Sequence, residues 1–287
     1  MALNQSQKAI LLMLGSAVSF PAMGLLAKAG TGHFPATELI LFRGGISTLL
    51  TVILLAIQGD LAAMRTKSPW VQICAGVLWA ASSTSFFASL AYLPFATSVA
   101  LCFILPMVST LASVLFLGER TRPANWIAMA VGLAGVLVIS PPGAGWGNPG
   151  ILLALANPIL YCCGVILVRK MGSNESGNTT SFYSLLCSMA VGATGLPFGW
   201  VTPGLADIPM LFGIGFFALL GTFLIVASLR RAPVRTVMPF FYAQAISSVF
   251  GGWIFFAELP PLATFIGMVL IIASGLMTYG LEGRGKA

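Results

Sequence analysis

Few side chains in this sequence could do chemistry. Its 287 residues hold one histidine (His33), five cysteines, seven acids and 14 bases. They show no Ser/His/Asp set, no metal-ligating cluster and no nucleotide-binding loop. An enzyme is therefore disfavoured, and no cofactor or metal is expected. Cys74, Cys102, Cys162, Cys163 and Cys187 form no CxxC, and the adjacent pair would point about 100° apart on a helix. They read as small buried hydrophobes. What remains is a sparse group of aromatic, hydroxyl and amide side chains inside apolar stretches: Phe20, Trp79, Ser82, Ser83, Phe103, Asn157, Tyr161, Tyr242 and Gln244. Rings offer apolar faces to a small molecule, and an amide both donates and accepts. Binding is the chemistry such a group supports, with helix packing as the competing account of each aromatic.

A second group suits gating or structural roles: Arg43, Glu119, Glu258, Pro94 and Pro233. Arg43 is the one base well inside an apolar stretch, about seven residues or roughly 10 Å from its end. It could pair with Glu38 or a helix C-terminus, attract a substrate carboxylate, or snorkel to the interface. Glu119 and Glu258 each close an apolar stretch and precede a proline (Pro123, Pro260 or Pro261), where a carboxylate would cap the exposed N–H groups of the next helix. A gate contact is the alternative. No acid lies within the apolar interiors, so if the chain moves a solute, movement down the solute's gradient is expected, with Glu38, Glu119 and Glu258 as the remaining proton carriers.

The elements that must position these residues follow from composition. Charged residues make up 7% of the chain, against about 25% in soluble proteins. Between Lys67 and Glu119 lie 51 uncharged positions, and between Arg122 and Arg169 lie 46. A helix crosses the bilayer in about 20 residues, so each of these stretches must hold two spans. Leu93-Pro94 and the Pro/Gly-rich run from Ser140 to Gly150 mark the internal breaks. An all-α membrane protein of ten transmembrane helices is expected, with spans at 9–28, 36–57, 70–91, 95–117, 124–140, 150–168, 179–199, 208–228, 234–256 and 262–280. Continuous apolar runs exclude the alternating pattern of a β-barrel. The first span is too long for the apolar region of a signal peptide and is expected to be retained.

Basic residues orient these spans. With the N-terminus cytoplasmic, Lys8, Arg65, Lys67, Arg120, Arg122, Arg169, Lys170, Arg230, Arg231, Arg235, Arg284 and Lys286 all fall inside. Only Lys28 falls outside. Both termini are expected in the cytoplasm. The net charge of +7 then faces anionic lipid and needs no nucleic acid partner.

The chain also repeats itself. A shift of 139 residues lays Ala88–Ile139 over Ala227–Thr278 with eleven identities, among them Pro94/Pro233, Thr97/Thr236, Ser109/Ser248 and Glu119/Glu258. A weaker shift of 141 pairs Phe20 with Tyr161. Two five-span units result, residues 1–143 and 144–287, and an odd number of spans per unit makes the second inverted.

Pro94 opening a span, Phe116-Leu117-Gly118-Glu119-Arg120 closing it, then Trp126 and Ala134-Gly135, form a recognisable pattern. Pro233, Phe256-Ala257-Glu258 and Phe265-Ile266-Gly267 repeat it, with Ala257 in place of the glycine and no base after Glu258. Over its whole length the chain resembles the drug/metabolite transporter superfamily, specifically the bacterial ten-helix EamA-type proteins, which include an aromatic amino acid exporter of similar length. The resemblance implies an inner-membrane, alternating-access exporter of small metabolites, amino acids including aromatic ones foremost. It would act as a monomer among membrane lipids. Uptake or exchange of another metabolite, a channel, or a membrane-embedded enzyme are the alternatives.

Overall fold

The computed structural model describes residues 5–118, 123–139, 147–171, 177–232, 237 and 240–283. Among them are helices and turns and no strand. The helices are α1 (Gln5–Gly30), α2 (Ala36–Gln58), α3 (Pro69–Ser89), α4 (Phe95–Cys102), α5 (Leu105–Leu117), α6 (Pro123–Ile139), α7 (Pro149–Met171), α8 (Gly177–Ala193), α9 (Ile208–Leu229), α10 (Ala243–Phe256) and α11 (Leu262–Gly283). Short 3-10 turns at Leu61–Met64 and Leu196–Phe198 join some of them. Seven of the described helical segments are long and apolar enough to cross a membrane, and shorter apolar helices accompany them.

The bundle is turned inside out relative to a soluble protein. Large apolar side chains such as Ile57, Trp70, Phe198, Phe255 and Leu262 lie exposed on its surface. Its interior includes the small polar residues Ser16, Ser47, Ser82, Ser98, Ser188 and Ser248. Exposed large apolar surface on this scale is what lipid covers.

Four antiparallel pairings carry the packing: α1 with α9, α3 with α7, α2 with α8, and α6 with α11. Glycines set the closest crossings, because a Cβ would hold the backbones apart. At the α2–α8 crossing, a side chain on Gly44 would strike Met189, and one on Gly192 would strike Leu41. Gly135 and Gly267 oppose each other in the same way between α6 and α11. Ser228 Oγ donates to the Ala9 carbonyl at 2.7 Å, tying α9 to α1, and Ser47 Oγ donates to the Gly215 carbonyl at 2.7 Å, tying α2 to α9.

Three expectations need correction. The span expected at 95–117 is two helices. Phe103 N–H and Ile104 N–H bond three residues back, to Ala100 and Leu101, and the α-helical register resumes at Val108. The sequence supplies the reason: Pro106 has no N–H to donate to Cys102, so the break falls in the preceding turn. Within the span expected at 179–199, which the apolar segment Gly177–Phe198 matches, the α-helix itself ends at Ala193. Gly195 and Pro197 stop the helix, although Leu196 and Phe198 keep the sequence apolar. In the span expected at 234–256, Val237 and Phe240–Phe241 are helical, Tyr242 turns, and α10 starts at Ala243.

Two helix ends share a rare conformation. Gly118 after α5 has φ 66° and Ala257 after α10 has φ 52°, both left-handed. These positions are 139 residues apart. The glycine suits that conformation, whereas the alanine holds it against its own Cβ.

Candidate substrate site

Phe103 and Tyr242 stand at the two interruptions described above. Their rings meet with centroids 5.6 Å apart, tilted by 60°, and both are buried. A broken helix leaves backbone groups free for other partners. Two residues beyond Tyr242, Gln244 is 8% exposed, and its amide Nε2 has no hydrogen-bond partner among the described residues. A buried unused donor is costly, so its position beside the breaks points to a group that arrives with the ligand.

A second cluster runs along the α3–α7 seam. Trp79 Nε1–H donates to the Tyr161 carbonyl at 3.1 Å, and the two rings lie 6.1 Å apart. One turn along, Asn157 Nδ2 donates to Ser82 O at 2.9 Å and to Ser82 Oγ at 2.8 Å. Ser82 Oγ is also within 2.9 Å of the Asn157 carbonyl. Here the amide nitrogen bonds twice across the seam, which ties the two helices beside the aromatic pair. Tyr161 is exposed at its surface. Phe20 packs over Gly221 at the α1–α9 seam, where the absent Cβ makes room for its ring.

Arg43 does not pair with Glu38. Its Nη1 donates to Ser83 Oγ at 3.3 Å, and its Nε is buried without a partner. Five residues apart on one helix, the two side chains diverge by about 140°. Glu38 is 2% exposed, so this carboxylate lies inside the bundle and not at a solvated helix end. Its Oε2 accepts the Val201 N–H at 3.1 Å, while Oε1 is buried without a partner.

At one end of the bundle, Glu258 does cap a helix, but not the one it precedes. Its carboxylate accepts the Phe95 N–H at 3.1 Å, at the first turn of α4 opened by Pro94, and both oxygens receive Lys28 Nζ, one at 2.6 Å. The left-handed Ala257 turns the chain so that Glu258 points across the bundle. Lys28 also donates to the Leu93 carbonyl at 3.2 Å and stands 5.2 Å from the centre of the Phe256 ring. This knot joins the ends of α1, α4 and α10 and lines an open cleft of about 500 Å³ with Tyr92 and Thr31. Sequence reading placed Lys28 outside without a role. Its signal was present, because a solitary lysine at that end of an acid-poor chain has few possible partners. Glu119 and Pro233 lie outside the described residues.

A bundle of long apolar helices with its large side chains outward and a few buried polar residues within is a multi-pass membrane protein. Its family model is the EamA-like transporter family, matching residues 7–140 and 148–280, and the chain belongs to that family. Among its relatives, a riboflavin transporter of Rhizobium johnstonii is 28% identical, over 88% of this chain and 83% of the relative. A pseudopaline exporter of Pseudomonas aeruginosa is 26% identical over 96% of both chains. An S-adenosylmethionine uptake transporter of Rickettsia bellii is 25% identical over 95% of this chain and 93% of that one. A crystal structure with 19% identity covers 97% of this chain and 99% of its own, with a TM-score of 0.68, so the fold is shared. Family and relatives identify a transporter of small metabolites. These relatives are named for riboflavin, pseudopaline and S-adenosylmethionine, not for amino acids.

Proposed function

We propose that the chain is an alternating-access carrier of small metabolites, built from two inverted five-helix halves, residues 1–143 and 144–287, that move about the Phe103–Tyr242 contact. The observation that carries this reading is that Phe103 and Tyr242 are 139 residues apart, the repeat shift, and each marks the interruption of its span. The packing supports it further. Exchanging the halves turns the α1–α9 pairing into α7–α3, and α2–α9 into α8–α3, while α2–α8 and α6–α11 map onto themselves.

In this reading the substrate sits where the broken spans meet. Phe103 and Tyr242 supply apolar faces and Gln244 a directional donor. The Trp79–Tyr161 pair, held by Ser82 and Asn157, and Phe20 on the opposite seam form the walls. Both termini lie in the cytoplasm of a bacterium, with the carrier in its inner membrane as a monomer, and Lys28 and Glu258 close the outer end. Aromatic and other amino acids are the simplest substrates for such walls, with export as the working direction. The relatives named for riboflavin and S-adenosylmethionine favour larger conjugated metabolites at the same place. Relatives named for both export and uptake agree with a carrier whose direction follows the substrate gradient.

Counterflow in proteoliposomes tests the proposal. Unlabelled tryptophan, riboflavin or S-adenosylmethionine loaded inside should accelerate entry of the same labelled compound. Entry without trans-acceleration would indicate a channel, and chemical change of the label an enzyme.

A further inference from the structure

Arg43 is a cation in the bundle interior with one weak bond and no counter-ion. No carboxylate among the described residues lies within ion-pair distance of it, and Glu38, the nearest acid along α2, bonds to Val201 instead. Such a charge is expensive in the interior of a membrane protein unless something neutralises it.

The geometry of the free donors is specific. A guanidinium presents Nε–H and Nη2–H side by side on one edge, spaced to meet the two oxygens of a carboxylate. Ser83 occupies Nη1, on the other edge. Nε is unpartnered, and Nη2 makes no hydrogen bond among the described residues. The whole side-on edge is thus without a hydrogen-bond partner among the described residues, while Ser83 holds the guanidinium by its far corner. Ser83 also lies one turn from Trp79 on α3, so the residue that anchors the guanidinium shares a helix face with the Trp79–Tyr161 pair.

We infer that Arg43, anchored by Ser83, is a subsite for a carboxylate, and that the transported metabolites include acids or zwitterions whose carboxylate docks side-on at α2 while a planar part meets the aromatic seam. This rests on the carrier reading above, which it narrows to a substrate class.

The test does not require the natural substrate. Ser83→Cys in a cysteine-free background is titrated with the anionic thiol reagent MTSES and the cationic MTSET. An unneutralised, water-accessible guanidinium should favour the anion, and Arg43→Gln should lower the MTSES-to-MTSET rate ratio by roughly tenfold. Indole-3-propionate should slow MTSES labelling, whereas the uncharged indole-3-propionamide should not. Arg43→Lys keeps the charge without the planar fork, so it should preserve the reagent ratio and lose the protection. This second variant carries the test if the glutamine variant does not fold. An unreactive thiol in Ser83→Cys, an unchanged ratio in Arg43→Gln, or equal protection by acid and amide would each overturn the subsite. So would an absence of protection by either. Counterflow in the parent protein is scored separately, so the carrier reading and the carboxylate subsite stand or fall independently.

Discussion

The knot of Lys28, Glu258 and the Phe95 N–H gives the sharpest quantitative expectation. Lys28 is 10% exposed and Glu258 33%, so the pair is neither a solvated surface bridge nor a fully buried one. Exposed pairs contribute about 0–1 kcal/mol, and breaking buried ones costs about 3–5 kcal/mol. Glu258→Gln keeps the shape and an oxygen for Phe95 but removes the charge. It should cost about 2 kcal/mol, the difference between a charge-assisted bond and a neutral one plus the unpaired ammonium. Glu258→Ala also uncaps α4 and should cost about 1 kcal/mol more. Lys28→Met leaves the carboxylate its cap role and a partly solvated position, so its cost should be the smaller, about 1–2 kcal/mol. The decisive quantity is the coupling in the double variant, expected at about 1–2 kcal/mol. Thermal unfolding of the purified protein in detergent reads all four proteins, at roughly 2–4 °C per kcal/mol for domains approaching this size. If Lys28→Met and Glu258→Gln simply add, the two charges do not hold each other. The end of the bundle would then be tied by the Phe95 cap and apolar packing alone.

Other outcomes follow from the same structure. Ala257→Gly should raise stability by about 1 kcal/mol in the same assay, because a left-handed residue loses its Cβ conflict. Gly44→Val should abolish folded, monodisperse protein, since its side chain would enter the Met189 backbone at the α2–α8 crossing. Gln244→Leu should leave the fold intact while weakening the binding of a transported substrate by about 1–3 kcal/mol, read from half-saturation in counterflow, and Trp79→Ala should weaken aromatic substrates more than aliphatic ones. A single cysteine at Asp207 should react with an impermeant reagent applied outside, and one at Arg65 should not; the reverse pattern would invert the orientation.

Where helices exist was legible because charge is so scarce: the long uncharged stretches and their Pro/Gly breaks gave most segments to within a few residues. Where helices end was less legible. Hydropathy reports lipid contact and not backbone geometry, so α1 extends through the polar Gln5–Lys8 while α8 stops before the apolar Leu196–Phe198. Pro106 was visible in mid-span, and its effect is a break and not only a bend. Side-chain partners were the least legible. Asn157 meets Ser82 across 75 residues and Glu258 meets Lys28 across 230, and nothing local in an apolar helix signals such pairs. Glu258 was expected to cap the helix that follows it, and its carboxylate accepts the Phe95 N–H of α4 instead, because sequence proximity stood in for the crossing that only the fold provides.

Close helix crossings and polar fittings answer to different physical constraints. Close crossings such as Gly44–Met189 and Gly192–Leu41 depend on the absence of a Cβ, which any larger residue destroys. The left-handed turn at Ala257 survives the loss of its glycine because the path of the chain there aims Glu258 at Lys28 and Phe95, a larger contribution than the strain it opposes. A charged pair, in contrast, can be moved without disturbing the backbone. Arg43 illustrates the freedom: under the shift of 141 residues that pairs Phe20 with Tyr161, its counterpart in the proposed second half falls near residue 183, where no residue is charged. A packing residue at that position would be expected in both halves if its purpose were structural. A base in one half alone fits a one-sided task. Substrate recognition is such a task, since a metabolite has no two-fold symmetry to match that of the proposed inverted halves.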